Sequence, residues 1–223
     1  MGKHDHHGGH SHGPSHGHAN GHAQRDPHRR GHGTGHKFDI SRLERLRDPE
    51  RLETMNPDKI WAVLADGLII NTLVDIGVGI GFFAIPFARK IKRGKVYGCD
   101  LHPEMLKYLE AAMEKEGVDN IEPVRCGEVE VPLEDGIADV VIMVNLHHEL
   151  DFRDRSLAEC RRLLRSGGKV AVIDWKPIQT EHGPPMEIRI PPEQVLEELT
   201  AAGFQRTAEH DIMPNHYFLT GVK

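Results

Sequence analysis

Short apolar runs alternate with amphipathic segments along most of the chain, and this alternation predicts an α/β fold. The inner runs, such as "ADVVIMVN", are almost continuously apolar, which is typical of parallel strands covered on both faces. Near the C-terminus, "RTAEHDI" and "HYFLTGV" are separated only by "MPN", so these two strands must run antiparallel. The sequence therefore predicts a doubly wound, mostly parallel seven-stranded sheet with an antiparallel last strand and helices on both faces.

The first half of this fold begins with helical segments and continues with three strands. "FDISRLERLRDPERLETMNPDKIWAVL" predicts one or two short helices, with Pro49 and Pro57 as starts or breaks. The strands that follow are "TLVDIG", "KVYGCD" and "NIEPVR". A helix from about Gly81 to Ile91 separates the first two strands. The helix "HPEMLKYLEAAMEKEG" separates the next two, and Gly117 terminates it.

The second half repeats the alternation. We predict "ADVVIMVN" as the fourth strand, "FRDRSLAECRRLLRSGG" as a helix closed by its two glycines, and "KVAVIDW" as the fifth strand. The helix "PPEQVLEELTAAG" then precedes the terminal pair of strands. Ligands of such sheets bind at the carboxyl ends of the strands, so the segments that follow the strands are the candidate binding regions.

Residues 1–36 differ in composition from the rest of the chain. They contain eleven of the seventeen histidines and nine of the glycines, but no aromatic residue. Such a segment cannot bury enough apolar surface to offset its ordering entropy. We therefore predict a disordered His/Gly-rich tail at residues 1–36 and a single folded domain at residues 37–223.

The charge and the cysteines exclude several classes of protein. The tail is slightly basic, so the folded part is more acidic than the net charge of −6, and nucleic acid is a disfavoured partner. The three cysteines, Cys99, Cys126 and Cys160, form no CxxC pair, which argues against disulfides and a thiolate zinc site. Without a signal peptide or an apolar run of about 18 residues, the sequence predicts a soluble cytoplasmic protein with no membrane partner. It leaves the oligomeric state open.

The segment "VDIGVGIGFFAIP", Val74–Pro86, places three glycines two residues apart between the first strand and a helix. Such a loop binds a pyrophosphate or another small anionic group. The dinucleotide pattern GxGxxG needs glycine where Phe82 stands, and this ring would obstruct close approach. Phe82 and the terminal hairpin thus disfavour a nicotinamide-dependent oxidoreductase. A purely structural role for the three glycines stays open.

Asp100 ends the second strand, nineteen residues after Gly81. A carboxylate at this place faces the crevice of the sheet and accepts hydrogen bonds from both hydroxyls of a ribose. The ligand predicted from the two features is a nucleoside with a short group at its far end. The alternative is that Asp100 caps the helix that follows, and the two roles are compatible.

From about Asp48 to Val222 the sequence resembles the class I S-adenosylmethionine-dependent methyltransferases, which have a Rossmann-like fold. Four segments carry the resemblance, namely "VDIGVGIG", "VYGCDLHPEML", "CGEVEVPLEDGIADVVIMVNLHHEL" and "LRSGGKVAVIDWK". The resemblance implies a transferase with S-adenosyl-L-methionine as cofactor. Methyl transfer is an in-line displacement on a sulfonium, so the protein mainly positions the reactants and removes water.

The resemblance also implies which positions bind the cofactor. By this resemblance, Gly77, Gly79 and Gly81 lie along the methionine part of the cofactor, and Asp75 supports the loop and the amino group. Asp100 holds the ribose, Leu101 and Val129 enclose the adenine, and Glu128 stands near the adenine amine. Asn145 and Leu146 stand beside the sulfur.

The acceptor side of the site is predicted from "NLHHEL", which leaves the fourth strand at the crevice side of the sheet. We expect His148 to be the general base and Glu149 to be catalytic with it; a helix-start histidine bonded to backbone is the alternative for His148. The predicted acceptor pocket consists of His147, Trp175, His216 and Tyr217, with core packing as the alternative for Trp175 and strand-edge placement for His216 and Tyr217.

The acceptor predicted from these features is a small molecule, and "GPP" at 183–185 indicates an ordered loop near its entrance. The Asn-Pro-Pro-aromatic motif of methyltransferases that act on adenine or glutamine is replaced by Asn145-Leu146-His147-His148, which disfavours those substrates. Arsenite methyltransferases have a cysteine just after the fourth strand. This chain has none there, so arsenic is also disfavoured.

The tail supports a different hypothesis, a non-catalytic metal-handling protein that uses the domain as a scaffold. Imidazoles on a flexible chain suit nickel and zinc, so loose binding of Ni or Zn is expected. The predicted ligands are His4, His6, His7, His10, His12, His16 and His18. An incidental low-complexity extension is the alternative.

Overall fold

Seven strands form one sheet in the computed structural model, which describes Arg51 and residues 54–223. They are β1 (Thr72–Ile76), β2 (Lys95–Asp100), β3 (Ile121–Arg125), β4 (Ala138–Val144), β5 (Leu164–Trp175), β6 (Gln205–Glu209) and β7 (His216–Val222). Their order is β3-β2-β1-β4-β5-β7-β6. The first five strands pair in parallel, and β7 pairs antiparallel with both β5 and β6. The predicted fold class is confirmed.

In the described residues, a helix precedes β1, and helices separate most of the later strands, although none separates β3 from β4. The helices are α1 (Pro57–Ala65), α2 (Ala84–Lys90), α3 (Pro103–Glu116), α4 (Arg153–Leu163) and α5 (Pro192–Ala201). None of these helices is long and apolar enough to cross a membrane. The predicted tail at residues 1–36 and most of the helical segment predicted before Pro57 lie outside the described residues.

The helix ends follow the local sequence signals. Helix α1 starts at Pro57, because the side chain of Asn56 accepts the backbone N–H groups of Asp58 and Lys59. Helix α3 ends at Gly117, whose φ of 62° is a left-handed conformation that glycine adopts without strain.

The boundary between α4 and β5 differs from the prediction. The helix ends at Leu163 and the strand begins at once, so the two glycines expected to close the helix lie inside β5. Backbone pairing with the C-terminus explains the difference, because Gly167 N donates to Lys223 O at 3.0 Å and Lys223 N donates to Gly168 O at 2.9 Å. Tertiary hydrogen bonds thus replace the helical ones.

The sheet has an apolar core on each side. One core joins the sheet to α1, α2 and α3 and includes Ile60, Phe87, Leu109, Ile142 and Phe218, all fully buried. The other joins the sheet to α4 and α5 and includes Val141, Leu157, Val172, Leu199 and Leu219. These two cores hold the carboxyl ends of β1, β2, β4 and β5 at one edge, where the site lies.

Asp139 links the start of β4 to the start of β1, at the amino ends of the strands. Its side chain accepts the backbone N–H groups of Asn71 at 2.7 Å and Thr72 at 2.8 Å, and it pairs with Arg165. Burial raises the pKa of Asp139, but the bonds from Arg165 and the two backbone groups more than offset this effect and lower the pKa. The ionised carboxylate therefore stabilises the fold at neutral pH.

We predict that Asp139→Ala lowers the free energy of unfolding by roughly 2–4 kcal/mol, because it leaves two backbone donors and a guanidinium without their acceptor. Denaturant unfolding at pH 7 measures the loss. Asp135→Ala is the matched control, since Asp135 also pairs with an arginine but its side chain is 79% exposed, and it should cost less than about 1 kcal/mol. Equal losses in the two variants would contradict the assignment.

Candidate functional site

The glycine loop follows β1 and turns back onto β2. The backbone N–H groups of Gly77 and Val78 both donate to Cys99 O, at 2.9 and 3.0 Å. Gly77, Gly79 and Gly81 all have positive φ, of 77°, 54° and 84°. Only glycine adopts such angles readily at three alternate positions, so the spacing of the motif is a backbone requirement.

The exit of β4 packs against this loop. A Cβ atom on Gly77 would lie 3.0 Å from Leu146 Cδ2, which is closer than most Cβ contacts, so Leu146 packs directly over Gly77. Asn145 has a φ of 54°, and its buried Oδ1 has no hydrogen-bond partner among the described residues. Strain and an unpaired polar atom together are typical of a ligand site.

Asp100 holds the glycine loop to the start of α3. Its Oδ2 accepts Gly79 N at 3.0 Å and its Oδ1 accepts His102 N at 2.9 Å. His102 is the N-cap residue of α3 and no side chain caps this helix, so Asp100 binds the residue at the helix start without capping the helix. Each oxygen keeps a lone pair for a further donor such as a hydroxyl.

Asp75 is a buried carboxyl on the same face of the sheet. It is 3% exposed, and no hydrogen bond to its side chain occurs within the described part of the chain. Burial raises the pKa of Asp75 to about 8, and the nearby charge of Asp100 raises it too. A cationic group bound beside Asp75 and Asp100 would offset both effects.

The positions implied for adenine follow neighbouring strands. Leu101 is 46% exposed directly after β2, so its apolar side chain is accessible to a ligand. Glu128 is exposed and Val129 is half-buried in the segment after β3. Because Cys126 N donates to Asp100 O at 3.1 Å, the starts of the two segments lie side by side.

His148 is oriented by a carboxylate from the next strand. Its Nδ1 lies 2.7 Å from Asp174 Oδ1, and its backbone N–H donates to Asp174 Oδ2 at 3.0 Å. Asp174 is 1% exposed and also accepts Trp175 N at 2.8 Å. A carboxylate on one imidazole nitrogen leaves the other nitrogen free for proton transfer, the arrangement of a general base. The imidazole of His148 is thus bonded to the side chain of Asp174, whereas the alternative interpretation expected it to bond to backbone.

Sequence reasoning missed Asp174. The signal was present, because Asp174 is the single charged residue in the otherwise apolar stretch "VAVIDW" and stands where β5 ends. Glu149 lies on the other side of His148, with Oε1 3.7 Å from His148 Nε2. The carboxylate of Glu149 faces the nitrogen that Asp174 leaves free.

His147 and Tyr217 lie on the side of the sheet covered by α5. His147 is fully buried, and its Nε2 lies 2.7 Å from Glu198 Oε2. Burial by itself raises the pKa of Glu198, but bonds from His147 and Gln194 and the charges of His147 and Arg153 lower it to about 2. Tyr217 is 1% exposed in the core of the same side.

Trp175 and His216 pair across β5 and β7, next to Asp174. Their ring centroids are 4.2 Å apart, and His216 is 3% exposed. The structure thus brings two of the four predicted acceptor residues together, and it places His147 and Tyr217 in the layer beneath α5.

Arg189 holds the segment after β5 over Trp175. Its guanidinium donates to the backbone oxygens of Pro184, Lys176 and Ile178 and to Thr180 Oγ1, at 2.7 to 3.2 Å. The guanidinium carbon lies 5.2 Å from the Trp175 ring centroid. This ordered loop contains the "GPP" sequence that was expected near the entrance.

The predicted metal ligands of the tail lie outside the described residues. Within Arg51 and residues 54–223, no group of three or more His, Cys, Asp or Glu side chains is arranged to hold a metal ion. Cys99, Cys126 and Cys160 are free and buried. Burial raises the pKa of Cys126 to about 11 and that of Cys160 to about 12, so these thiols stay protonated at neutral pH.

Comparison with known proteins relates the chain to methyltransferases. Residues 74–172 match a family described as a methyltransferase domain. The arsenite methyltransferase of Halobacterium salinarum is 36% identical over 124 residues, which are 53% of this chain and 30% of that protein. The ubiquinone/menaquinone biosynthesis C-methyltransferase of Cupriavidus metallidurans is 31% identical over 113 residues, 48% of this chain and 46% of that protein. The chain spans less than half the length of either relative.

Solved structures match over a longer part of the chain. A SAM dependent methyltransferase from Aquifex aeolicus has a TM-score of 0.75 and 32% identity, over 83% of this chain and 98% of that protein. Phosphoethanolamine N-methyltransferase 2 of Haemonchus contortus, in complex with S-adenosyl-L-methionine, has a TM-score of 0.63 over 75% of this chain and 52% of that protein. The sequence identity to this N-methyltransferase is 18%, so its similarity to this chain concerns the fold alone.

The buried carboxyl of Asp75 generates a prediction about stability and pH. A raised pKa means that the folded state holds its proton more tightly than the unfolded state, so stability falls as the pH rises from about 4 to about 8. Asp75→Asn removes this loss. We compare the free energy of unfolding of Asp75→Asn with that of wild type, measured with denaturant. The difference should shift in favour of the variant by at least about 1 kcal/mol between pH 5 and pH 8. The exposed Asp119→Asn should show no such rise, and a pH-independent difference for Asp75→Asn would contradict the prediction.

Proposed function

Because the chain belongs to the class I S-adenosylmethionine-dependent methyltransferases, we propose that it methylates a small molecule and that His148 is the general base. The observation that carries this proposal is that the glycine loop and the Asp174–His148 pair meet at one edge of the sheet. Leu146 touches Gly77, and His148 follows two residues later. A cofactor held by the loop would lie beside a base that is already oriented.

The residues at this edge fit the cofactor. The three glycines with positive φ present the loop backbone at this edge, Asp75 suits a cationic amino group, and Asp100 keeps lone pairs for the ribose hydroxyls. Leu101 and Val129 offer apolar surface for adenine, with Glu128 beside them. When bound, S-adenosyl-L-methionine supplies a methyl group on a sulfonium that is a good leaving group.

The chain's own residues position the acceptor and accept its proton. Asp174 holds His148 through one ring nitrogen and through the backbone, so the imidazole has a single orientation. His148 Nε2 is then the atom that takes a proton from an acceptor hydroxyl or amine, and the carboxylate of Glu149 at 3.7 Å stabilises the imidazolium. In this proposal the loop held by Arg189 beside Trp175 borders the acceptor side.

A small-molecule acceptor is supported by the relatives and by the charge of the chain. The two curated relatives are named for arsenite and for ubiquinone/menaquinone biosynthesis, none of which is a macromolecule. The net charge of −6 opposes binding to a phosphate backbone. Arsenite itself is disfavoured because soft metalloids need thiolates, and the cysteines of this chain are buried thiols with raised pKa values.

The direct test is incubation of the chain with labelled S-adenosyl-L-methionine and a metabolite extract, followed by a search for labelled small molecules. Label in a small molecule supports the proposal, and label only in protein or nucleic acid contradicts it. The variants below use the acceptor found in this way.

We predict that Asp100→Ala weakens binding of S-adenosyl-L-methionine by about 1.5–3 kcal/mol, the usual contribution of hydrogen bonds to a charged group. Calorimetry on the purified chain measures this loss. Because Asp100 also bonds Gly79 and His102, unfolding of the variant is followed in parallel. Unchanged affinity in a folded variant would remove Asp100 from the cofactor site.

We predict that His148→Ala lowers turnover by roughly 10²- to 10⁴-fold while cofactor affinity stays nearly unchanged, because only proton transfer is lost. Turnover is compared with wild type from about pH 5.5 to 9. His182→Ala is the matched control, since His182 is an exposed histidine of the loop after β5. A loss below about threefold at every pH would mean that the acceptor is already nucleophilic and that His148 is structural.

A further inference from the structure

Asn145, the residue that follows β4, combines a strained backbone with an unpaired polar atom. Its φ of 54° lies in the left-handed region, and its buried Oδ1 has no hydrogen-bond partner among the described residues. A glycine would adopt this φ without strain and would bury no amide oxygen. Both features cost stability, and a native structure retains such costs where a ligand completes the bonding.

Asn145 lies on the same side of the sheet as Asp174. Met143 and Val172 pair in register between β4 and β5, and both belong to the core beneath α4 and α5. Asn145 and Asp174 come two residues further along the two strands, so alternation places them side by side above this core. The backbone agrees, because Asn145 N donates to Ile173 O at 2.8 Å.

This side of the site presents two hydrogen-bond acceptors. The Asp174 carboxylate, 2.7 Å from His148 Nδ1, holds the ring proton on that nitrogen, so Nε2 of the neutral imidazole has a lone pair. The amide oxygen of Asn145 is the second acceptor. A hydroxyl has one proton and satisfies only one of these atoms. The cation of a primary or secondary amine has at least two N–H groups and satisfies both.

Negative charge dominates on the same side. Burial raises the pKa of the Tyr217 hydroxyl, and the charges of Asp174 and Glu198 raise it further, against the charge of Arg153. Arg153 is itself bonded to Glu198 at 3.1 Å. The carboxylate of Glu149 lies 3.7 Å from Nε2 of the proposed base. Such a field favours a cationic acceptor and disfavours an anionic one.

We infer that the methyl acceptor is a small primary or secondary amine that binds as a cation, with one N–H donated to Asn145 Oδ1 and another to His148 Nε2. This inference rests on the proposed function, because it names the acceptor class of the same site. Asn145 orients the nitrogen and His148 removes its proton. Leu146, between them in the chain, packs over Gly77 of the glycine loop, so the nitrogen faces the cofactor edge.

The proton and electron balance of the step is complete with these groups. His148 Nε2 takes one proton from the ammonium and later releases it to water. The lone pair freed on nitrogen forms the bond to the methyl carbon, while the carbon–sulfur bond breaks and sulfur keeps its bonding pair. The positive charge passes from sulfur to nitrogen, and the N–H bonded to Asn145 stays in place throughout.

The acceptor class is tested with the full chain, labelled S-adenosyl-L-methionine and a metabolite extract in two halves. One half is acetylated with an N-hydroxysuccinimide ester and then treated with hydroxylamine, which leaves amines blocked but restores hydroxyls and thiols. The other half is mock-treated, and a mixture of the halves corrects for inhibition by the treatment. We expect at least about tenfold less label in small molecules of the acetylated half. A smaller loss would overturn the inference.

The role of Asn145 is tested with the amine labelled in this way. Asn145→Gly should unfold at no lower denaturant concentration than wild type, because glycine relieves the strain and removes the unpaired oxygen. It should nevertheless lower kcat/KM for the amine at least about tenfold, the usual effect of losing a hydrogen bond to a charged group. Asn145→Asp keeps an acceptor oxygen and should retain more activity than Asn145→Gly.

Arg206→Gly is the matched control, because Arg206 is the other described residue besides glycine with a positive φ, of 49°, and it lies on the exposed part of β6. This variant should keep the full kcat/KM. Equal losses in Asn145→Gly and Arg206→Gly would overturn the role of Asn145. So would a fall in affinity for S-adenosyl-L-methionine, measured by calorimetry, as large as the fall in kcat/KM, since Oδ1 would then serve the cofactor.

The two levels of the proposal fail in different ways. Label that persists in small molecules of the acetylated half contradicts the amine class and leaves the methyltransferase proposal in place. Absence of labelled small molecules from the mock-treated half contradicts the proposed function, and the acceptor class with it.

Discussion

The candidate site depends on the hydrogen bonds of the Asp174 carboxylate, which lies at the end of β5. These bonds join Asp174 to His148 and to the backbone of Trp175. The carboxylate accepts two N–H groups of His148, one from the backbone and one from the ring, and the backbone N–H of Trp175. The first pair orients the proposed base, and the third sets the backbone beside the proposed acceptor pocket. Three hydrogen bonds to one buried carboxylate therefore fix the proposed base and the end of β5 relative to each other.

The sheet separates two kinds of histidine at this edge. On the side covered by α5, His147 is buried against Glu198, which also binds Arg153 and Gln194. These bonds join the β4 exit to α5 and stabilise the edge. On the other side, His216 packs against Trp175 with both nitrogens unpaired. The difference follows from their positions, since His147 lies in the short helical turn after β4 that contacts α5, whereas His216 begins β7 on the same face as Phe218.

Polar groups with incomplete bonding collect where the strands end, as Asp75, Asn145 and His216 illustrate. Each of them costs stability in the free protein, and the two apolar cores of the sheet compensate for that cost. The opposite edge is different, because Asp139 there has a bond for each oxygen. The proposed site and the link between β1 and β4 thus lie at opposite ends of the same strands.

The sequence by itself determined the order of strands and helices, the antiparallel end of the sheet and the position of the glycine loop, because these depend on periodicity and on single residues such as Gly117. It located Asp100 and His148 at strand ends for the same reason. It missed the α4–β5 boundary, where Lys223 pairs with Gly167 and Gly168. Only the tertiary structure decided that Asp174 bonds His148, 26 residues away, and that Glu198 bonds His147, 51 residues away. Periodicity encodes which face a residue occupies, whereas the partner it meets there depends on how distant segments pack.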